Sequence, residues 1–192
     1  MNVEILDTAI PEVKIVIPRV FGDARGYFFE SWTREKYEAA GIRCDWMQDN
    51  ESKSRFGVLR GLHYQAAPYT QAKLVRVMHG AVLDVAVDIR KGSPTFGRHV
   101  AVELSDENKY QIFVPRGFAH GFVVLSEEVL FAYKCDNRYM PSHERGIAFD
   151  DPALGIDWKV GLDHYILSEK DTRNPLFKDA ELFDYQTKEY LQ

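Results

Sequence analysis

Val82-Leu83-Asp84-Val85-Ala86-Val87-Asp88-Ile89, with the turn signal Lys91-Gly92-Ser93-Pro94 just beyond it, reads as a β-strand followed by a chain reversal. The same pattern recurs on both sides of it. Runs rich in Val, Ile, Phe and Tyr occupy Val13–Ile17, Tyr27–Trp32, Lys73–Met78, His99–Leu104, Tyr110–Val114, Gly121–Leu125 and Val129–Cys135, and Pro115-Arg116-Gly117 marks a further turn. Short strands at this spacing predict a mostly β fold, an antiparallel sandwich or barrel. One segment departs from it: Thr33 is placed to cap a short helix Arg34–Ala40, with Glu35 in its first turn and Gly41 to end it. A second helical piece is expected after Ser168, ahead of Pro175, and both pieces should be peripheral.

The chain of 192 residues has no internal repeat or low-complexity linker, so one domain spanning 1–192 is expected, with its core at about 20–175. Hydrophobic residues at 45% and charged residues at 28% fit a globular protein rather than a disordered one. A net charge of -5 is the wrong sign for a general phosphate-backbone binder, so nucleic acid is not an expected partner. Cys44 and Cys135 are the only cysteines and form no CxxC pair, which leaves neither a disulfide framework nor a zinc ribbon. They read as two buried thiols in a reducing compartment. The acidic start Met1-Asn2-Val3-Glu4-Ile5-Leu6-Asp7 is unlike a signal peptide, and no apolar run approaches membrane-spanning length. A cytoplasmic protein without a membrane partner is expected.

Strand parity places particular side chains inside such a barrel, because residues two apart share a face. Lys73 shares one with Val75 and Val77, and Tyr133 shares one with Val129 and Phe131. Two readings stay open for this pair: a lysine snorkelling from a strand end beside an ordinary core tyrosine, or two polar groups held inside for chemistry.

Among the six histidines, His63 and His120 stand in dense polar contexts. Pro115-Arg116-Gly117-Phe118-Ala119-His120 carries the Pro-x-Gly-x-x-His pattern of cupins, small jelly-roll barrels that often hold a metal. Metal-binding cupins supply His-x-His and a later glutamate from their first motif. Here that place reads His63-Tyr64-Gln65, followed by Gln71 and Lys73, so an amide replaces one ligand and a cation would crowd the ion. No metal and no cofactor are expected, which leaves the histidine free as an acid or base.

Arg25-Gly26-Tyr27-Phe28-Phe29-Glu30, Gln48-Asp49-Asn50, Arg60-Gly61-Leu62-His63-Tyr64-Gln65, Lys73-Leu74-Val75-Arg76-Val77, Pro115 to Phe122 and Asp150-Asp151-Pro152 together resemble the dTDP-4-dehydrorhamnose 3,5-epimerase family. They occur in that family's order over roughly residues 20 to 175; the tail after about Leu176 adds little to the likeness. The resemblance implies a cupin-type jelly roll and epimerisation at C3 and C5 of a dTDP-linked 4-keto-6-deoxy sugar, as a homodimer.

Inverting a carbon beside a ketone requires a base, a cation to hold the enolate and an acid on the opposite face. His63 suits the base, Lys73 the cation, and Tyr133 matches the family's proton donor. The family's aspartate partner for the histidine maps onto Asp171; parity offers Asp84 as the alternative or additional partner. By the resemblance, Arg25 and Arg60 are phosphate or sugar clamps. Glu30, Gln48 and Asn50 then contact the nucleotide or sugar, and Tyr27 and Tyr139 are stacking surfaces. His120, Glu144 and Lys170 complete the substrate contacts. On a regular strand Arg60 and His63 would face opposite ways, so Gly61 is expected to mark a bulge.

Three other readings compete with this one. An epimerase acting at one carbon, or on another nucleotide-linked 4-keto sugar, would use the same residues. A metal-dependent cupin would need the ligands that His63-Tyr64-Gln65 lacks. A non-catalytic sugar-binding jelly roll would have no use for His63, Tyr133 and Lys73 together. The homodimer is motivated further by the many edge strands of a jelly roll and the apolar N-terminal half.

Overall fold

The structure, a computed structural model, describes residues 3–191. Two antiparallel sheets form the body. The first orders its six strands as Glu4–Asp7, Lys14–Ile17, Gln111–Val114, Lys73–His79, Glu128–Cys135 and Gln48–Arg55. The second orders five as His99–Ser105, Ala81–Asp88, Phe118–Val124, Leu59–Gln65 and Glu144–Gly146. The fold is the mostly β, cupin-type jelly roll that the sequence predicts. No helix among the described residues is long and apolar enough to cross a membrane.

Three packed layers explain which residues form which strands. Between the sheets lies a core drawn from both, with Val75, Val77, Val129 and Phe131 meeting Val82, Ala86, Phe118, Phe122 and Leu104. The other side of the five-stranded sheet presents Leu59, Leu62, Tyr64, Leu83, Val85 and Val87 to Ile147, Trp158, Phe183 and Tyr190 of the C-terminal region. Covered on both faces, Ala81–Asp88 and Phe118–Val124 are almost wholly buried and read as near-continuous apolar runs. Tyr37 of the helix Arg34–Ala39 packs with Val16, Leu74 and Phe113 on the other side of the six-stranded sheet.

Several local expectations change. Thr33 stands at the helix N-cap, yet its side chain makes no capping hydrogen bond. Gly41 follows the helix at φ +82°, a conformation glycine adopts without strain. The Tyr27–Trp32 run is a strand only over Gly26–Phe28, which pairs with Phe21–Asp23 in an exposed hairpin. The piece after Ser168 is one 3-10 turn, Asp171–Arg173. Cys135 is buried as expected, whereas Cys44 is only half-buried.

The tail is more than an appendix. Phe183–Asp184 pairs with Arg90–Lys91, and Phe183 and Tyr190 are 5% and 3% exposed, so the tail is part of the wall behind the five-stranded sheet. Buried Arg90 anchors it: the guanidinium lies over the rings of Phe118, Tyr185 and Tyr190 while two of its nitrogens bond Asp88 at 2.8 and 2.7 Å.

Candidate active site

A cavity of about 690 Å³ opens between the two sheets. Lys73 and Tyr133 line it from the six-stranded sheet, Arg60, His63 and His120 from the five-stranded one, and Glu144, Lys170 and Asp171 from its rim.

Arg60 and His63 reach the same cavity through a bulge. His120 pairs with His63 and Phe122 with Arg60, so three steps along one strand oppose two along the other. The extra residue restores the facing that strict alternation denies. Gly61 sits there at φ +140°, and a Cβ on it would come within 2.6 Å of Gly121 Cα, so both strands need glycine at this crossing.

His63 Nε2 donates to Asp171 Oδ1 at 2.5 Å, and Ser168 Oγ donates to Asp171 Oδ2 at 2.8 Å. Burial by itself would raise the Asp171 carboxyl; the bonds from His63 and Ser168 with the nearby Lys170 charge outweigh it and hold it below the usual carboxylate range. The bond to the Asp171 carboxylate fixes an imidazole proton on Nε2, so that in the one-proton tautomer Nδ1 is the lone-pair acceptor. Asp84 partners the other histidine: His120 Nε2 donates to its two oxygens at 2.9 and 3.0 Å. Of the two carboxylates the sequence offers to His63, Asp171 is therefore the one in contact.

Burial pushes the Tyr133 phenol up to about 12, so it keeps its proton at neutral pH. Burial also lowers the Lys73 amine, against the opposing pull of Cys135, Asp84 and Glu144. Its Nζ stands 5.9 Å from the centre of the Tyr133 ring. Glu144 ties the rim together, accepting from Lys170 Nζ at 2.6 Å and from Tyr139 Oη at 2.8 Å. Burial opposes the Glu144 charge, but these bonds hold its carboxyl below the ordinary range.

Tyr139 borders a smaller recess that His63, Lys73 and His120 also line. Gln48 and Asn50 stand on the edge strand beside Tyr133, joined by a 2.8 Å bond, with Asn50 paired to Tyr133 and Gln48 accepting from the Tyr139 amide. Arg25, Tyr27 and Glu30 are not brought to the cavity. Arg25 is ion-paired to Asp23 on the exposed hairpin, Tyr27 is 59% exposed, and Glu30 pairs with Lys36.

The two amides of the first motif are already engaged. Gln65 donates to the carbonyls of Tyr69 and Arg138 and accepts from the Met140 amide, and Gln71 donates to the Asn137 carbonyl. Among the described residues no three His, Cys, Asp or Glu converge as metal ligands. The sequence reading missed Ser168, although a serine three residues before an aspartate is a common local hydrogen-bonding pair; its hydroxyl donates to Asp171 Oδ2 and accepts from the Asp171 amide. It also missed Ser54, whose hydroxyl accepts from Arg60 Nε and Nη2 at 3.3 and 3.2 Å.

Barrel and cavity together define a cupin-type fold in which ionisable groups from two sheets face each other across one cavity. A family model described as dTDP-4-dehydrorhamnose 3,5-epimerase matches residues 7–179. The protein of that name from Shigella flexneri is 53% identical over 184 residues, covering 95% of this chain and 99% of its own. The Pseudomonas aeruginosa protein of the same name is 54% identical over 176 residues, or 91% and 96% of the two chains. A crystal structure of dTDP-6-deoxy-D-glucose-3,5-epimerase from Legionella pneumophila, in complex with dTDP-4-keto-L-rhamnose, matches at a TM-score of 0.93 with 50% identity, over 96% of this chain and 100% of that one. The chain belongs to the dTDP-4-dehydrorhamnose 3,5-epimerase family.

Proposed function

We propose that this chain inverts C3 and C5 of dTDP-4-dehydro-6-deoxy-glucose, giving dTDP-4-dehydro-rhamnose. The observation that carries the reading is the supply of a base and an acid from facing sheets, His63 from one and Tyr133 from the other, with the Lys73 amine beside the phenol. His63 Nδ1 takes the proton from the carbon next to the C4 ketone. The enolate charge gathers on O4, where the Lys73 ammonium meets it in a poorly hydrated space. Tyr133 then returns a proton from the other side of the ring; once His63 has released its proton to solvent and Tyr133 has taken one back, the cycle repeats at the second carbon.

The rest of the site holds the substrate. Arg60 and Lys170 offer cations to the diphosphate, Tyr139 a stacking face for the base, and His120, Glu144, Gln48 and Asn50 polar partners for sugar and nucleotide. Arg25, Tyr27 and Glu30 stand away from their own cavity, so in this reading the working unit is a homodimer in which the exposed hairpin of one protomer serves the cavity of its partner. The engaged Gln65 amide and the Lys73 amine in the same recess suit a metal poorly, so in this reading the reaction runs on side chains alone. The two unpaired thiols fit the cytoplasm.

Incubation with dTDP-4-dehydro-6-deoxy-glucose in heavy water containing EDTA tests the whole reading. Product carrying deuterium and inverted configuration at both carbons is expected. Inversion at one carbon would make the chain a single-carbon epimerase, and activity restored only by a divalent ion would overturn the metal-free mechanism.

A further inference from the structure

Asp84 is a carboxylate in an apolar setting. It is fully buried, lies between Val102 and Phe122 across the sheet, and points toward the barrel interior with Val82 and Ala86. Burying a carboxylate there is costly unless it is paired, and among the described residues its only side-chain hydrogen-bonding partner is His120 Nε2. His120 lines the cavity, whereas Asp84 does not, so Asp84 stands one layer behind the groups that substrate can touch.

Lys73 presents the complementary problem. The residue is half-buried, with its side chain on the cavity wall inside the barrel, and among the described residues its amine has no hydrogen bond or ion pair of its own. The titratable groups around it are Cys135 and Tyr133 on the adjacent strand, Asp84, His120, His63 and Arg60 from the facing sheet, and Glu144, Lys170 and Asp171 at the rim. Gln111–Val114, its other neighbour, carries none. Of the anions in that set, Glu144 is engaged by Lys170 and Tyr139, and Asp171 by His63 and Ser168. Asp84 is the one whose charge is shared only with a neutral imidazole, because burial keeps His120 below its ordinary range despite the Asp84 contact.

We propose that Asp84 is a positioning residue of this site, which holds His120 as its Nε2–H tautomer and supplies the negative charge that keeps Lys73 an ammonium inside the barrel. It rests on the proton-transfer reading above, in which an ammonium rather than an amine must meet the enolate. The sign follows from the charges: burial favours the neutral amine and Asp84 opposes it, so removing the Asp84 charge makes Lys73 lose its proton at lower pH.

The test is Asp84→Asn, with Asp84→Glu as the charge-conserving control. The alkaline limb of the kcat profile is expected to move down by about one pH unit or more in Asp84→Asn, the size of shift one nearby opposite charge produces. It should return toward the wild-type position in Asp84→Glu. A role confined to packing would scale kcat by one factor at every pH and leave the limb in place, which overturns the proposal.

A second measurement needs no turnover. At pH 7, Asp84→Asn should lower Tm more in the wild-type background than in Lys73→Met, because only the former leaves a buried ammonium without its counter-charge. Equal losses in the two backgrounds overturn the proposal. Should Asp84→Asn fail to fold, the double variant must fold for the proposal to stand. A wild-type protein inactive on dTDP-4-dehydro-6-deoxy-glucose would sink the reaction instead, and the Tm comparison would still decide the role of Asp84.

Discussion

In the proposed reaction His63 and Tyr133 act on opposite faces of the same carbon, and isotope exchange reads that division. If His63 is the base, His63→Ala abolishes deuterium uptake from heavy water at both carbons, since no enolate forms. Tyr133→Phe is expected to spare much of that exchange, because the enolate still forms and is reprotonated from the face it left, while net inversion falls by about 10²–10⁴-fold. Exchange at near-wild-type rate in His63→Ala would reduce His63 to a binding residue. Undiminished inversion in Tyr133→Phe would move the donor to water or His120. Strand parity put Lys73 and Tyr133 on core-facing stripes, with Val75 and Val77 for the lysine and Val129 and Phe131 for the tyrosine, but left open whether the lysine snorkels out; the cavity settles that both face inward. The choice of Asp171 over Asp84 for His63 was not legible from parity, since it depends on a 3-10 turn folding back across 108 positions of sequence.

At the scale of elements, the bulge between Arg60 and His63 is what gathers the site, and Gly61 and Gly121 are its hinge of contact. A Cβ on Gly121 would stand 2.8 Å from the Arg60 carbonyl oxygen and 3.1 Å from Gly61 Cα. Gly121→Ala therefore has to push the two strands apart, and a loss of about 1–3 kcal/mol in stability is expected from overpacking of this kind. Activity should fall beyond what the lost stability explains, because Arg60 and His63 shift together. Denaturant unfolding beside kcat/KM measures both, and a variant with wild-type stability would show that the strands have slack there. Polar elements were the ones the sequence concealed. Gln48–Arg55 is an edge strand of Gln, Asp, Asn, Glu, Ser, Lys and Arg with only Ser54 buried, so it lacks the apolar alternation by which strands announce themselves. Leu59–Gln65 hides for another reason: its bulge breaks the period of two between Leu59 and Leu62.

For the molecule as a whole, the tail and the hairpin stand outside the two main sheets, and only one of them is explained within a single chain. The tail is: Phe183 and Tyr190 are buried behind the five-stranded sheet, although their segment carries no extended pattern that sequence reading could register. The hairpin is not. Phe21, Tyr27 and Phe28 are 48%, 59% and 67% exposed, beside Val20 at 41%, a density of exposed apolar surface of the kind interaction sites carry. Arg25 rides on the same hairpin with its side chain 90% exposed and only Asp23 for company. A homodimer that buries this hairpin against a second copy would cover the apolar rings and carry Arg25 toward the partner's cavity in one step. Phe21→Ser with Phe28→Ser is therefore expected to shift the light-scattering mass from twice that of the chain to once, while Tm of the barrel changes little because neither ring belongs to its core. Activity should fall with dimer content across a dilution series, and Arg25→Ala alone should raise KM while leaving the dimer intact. A monomeric double variant with full activity would show that each cavity is complete without its partner, and would remove Arg25, Tyr27 and Glu30 from the site.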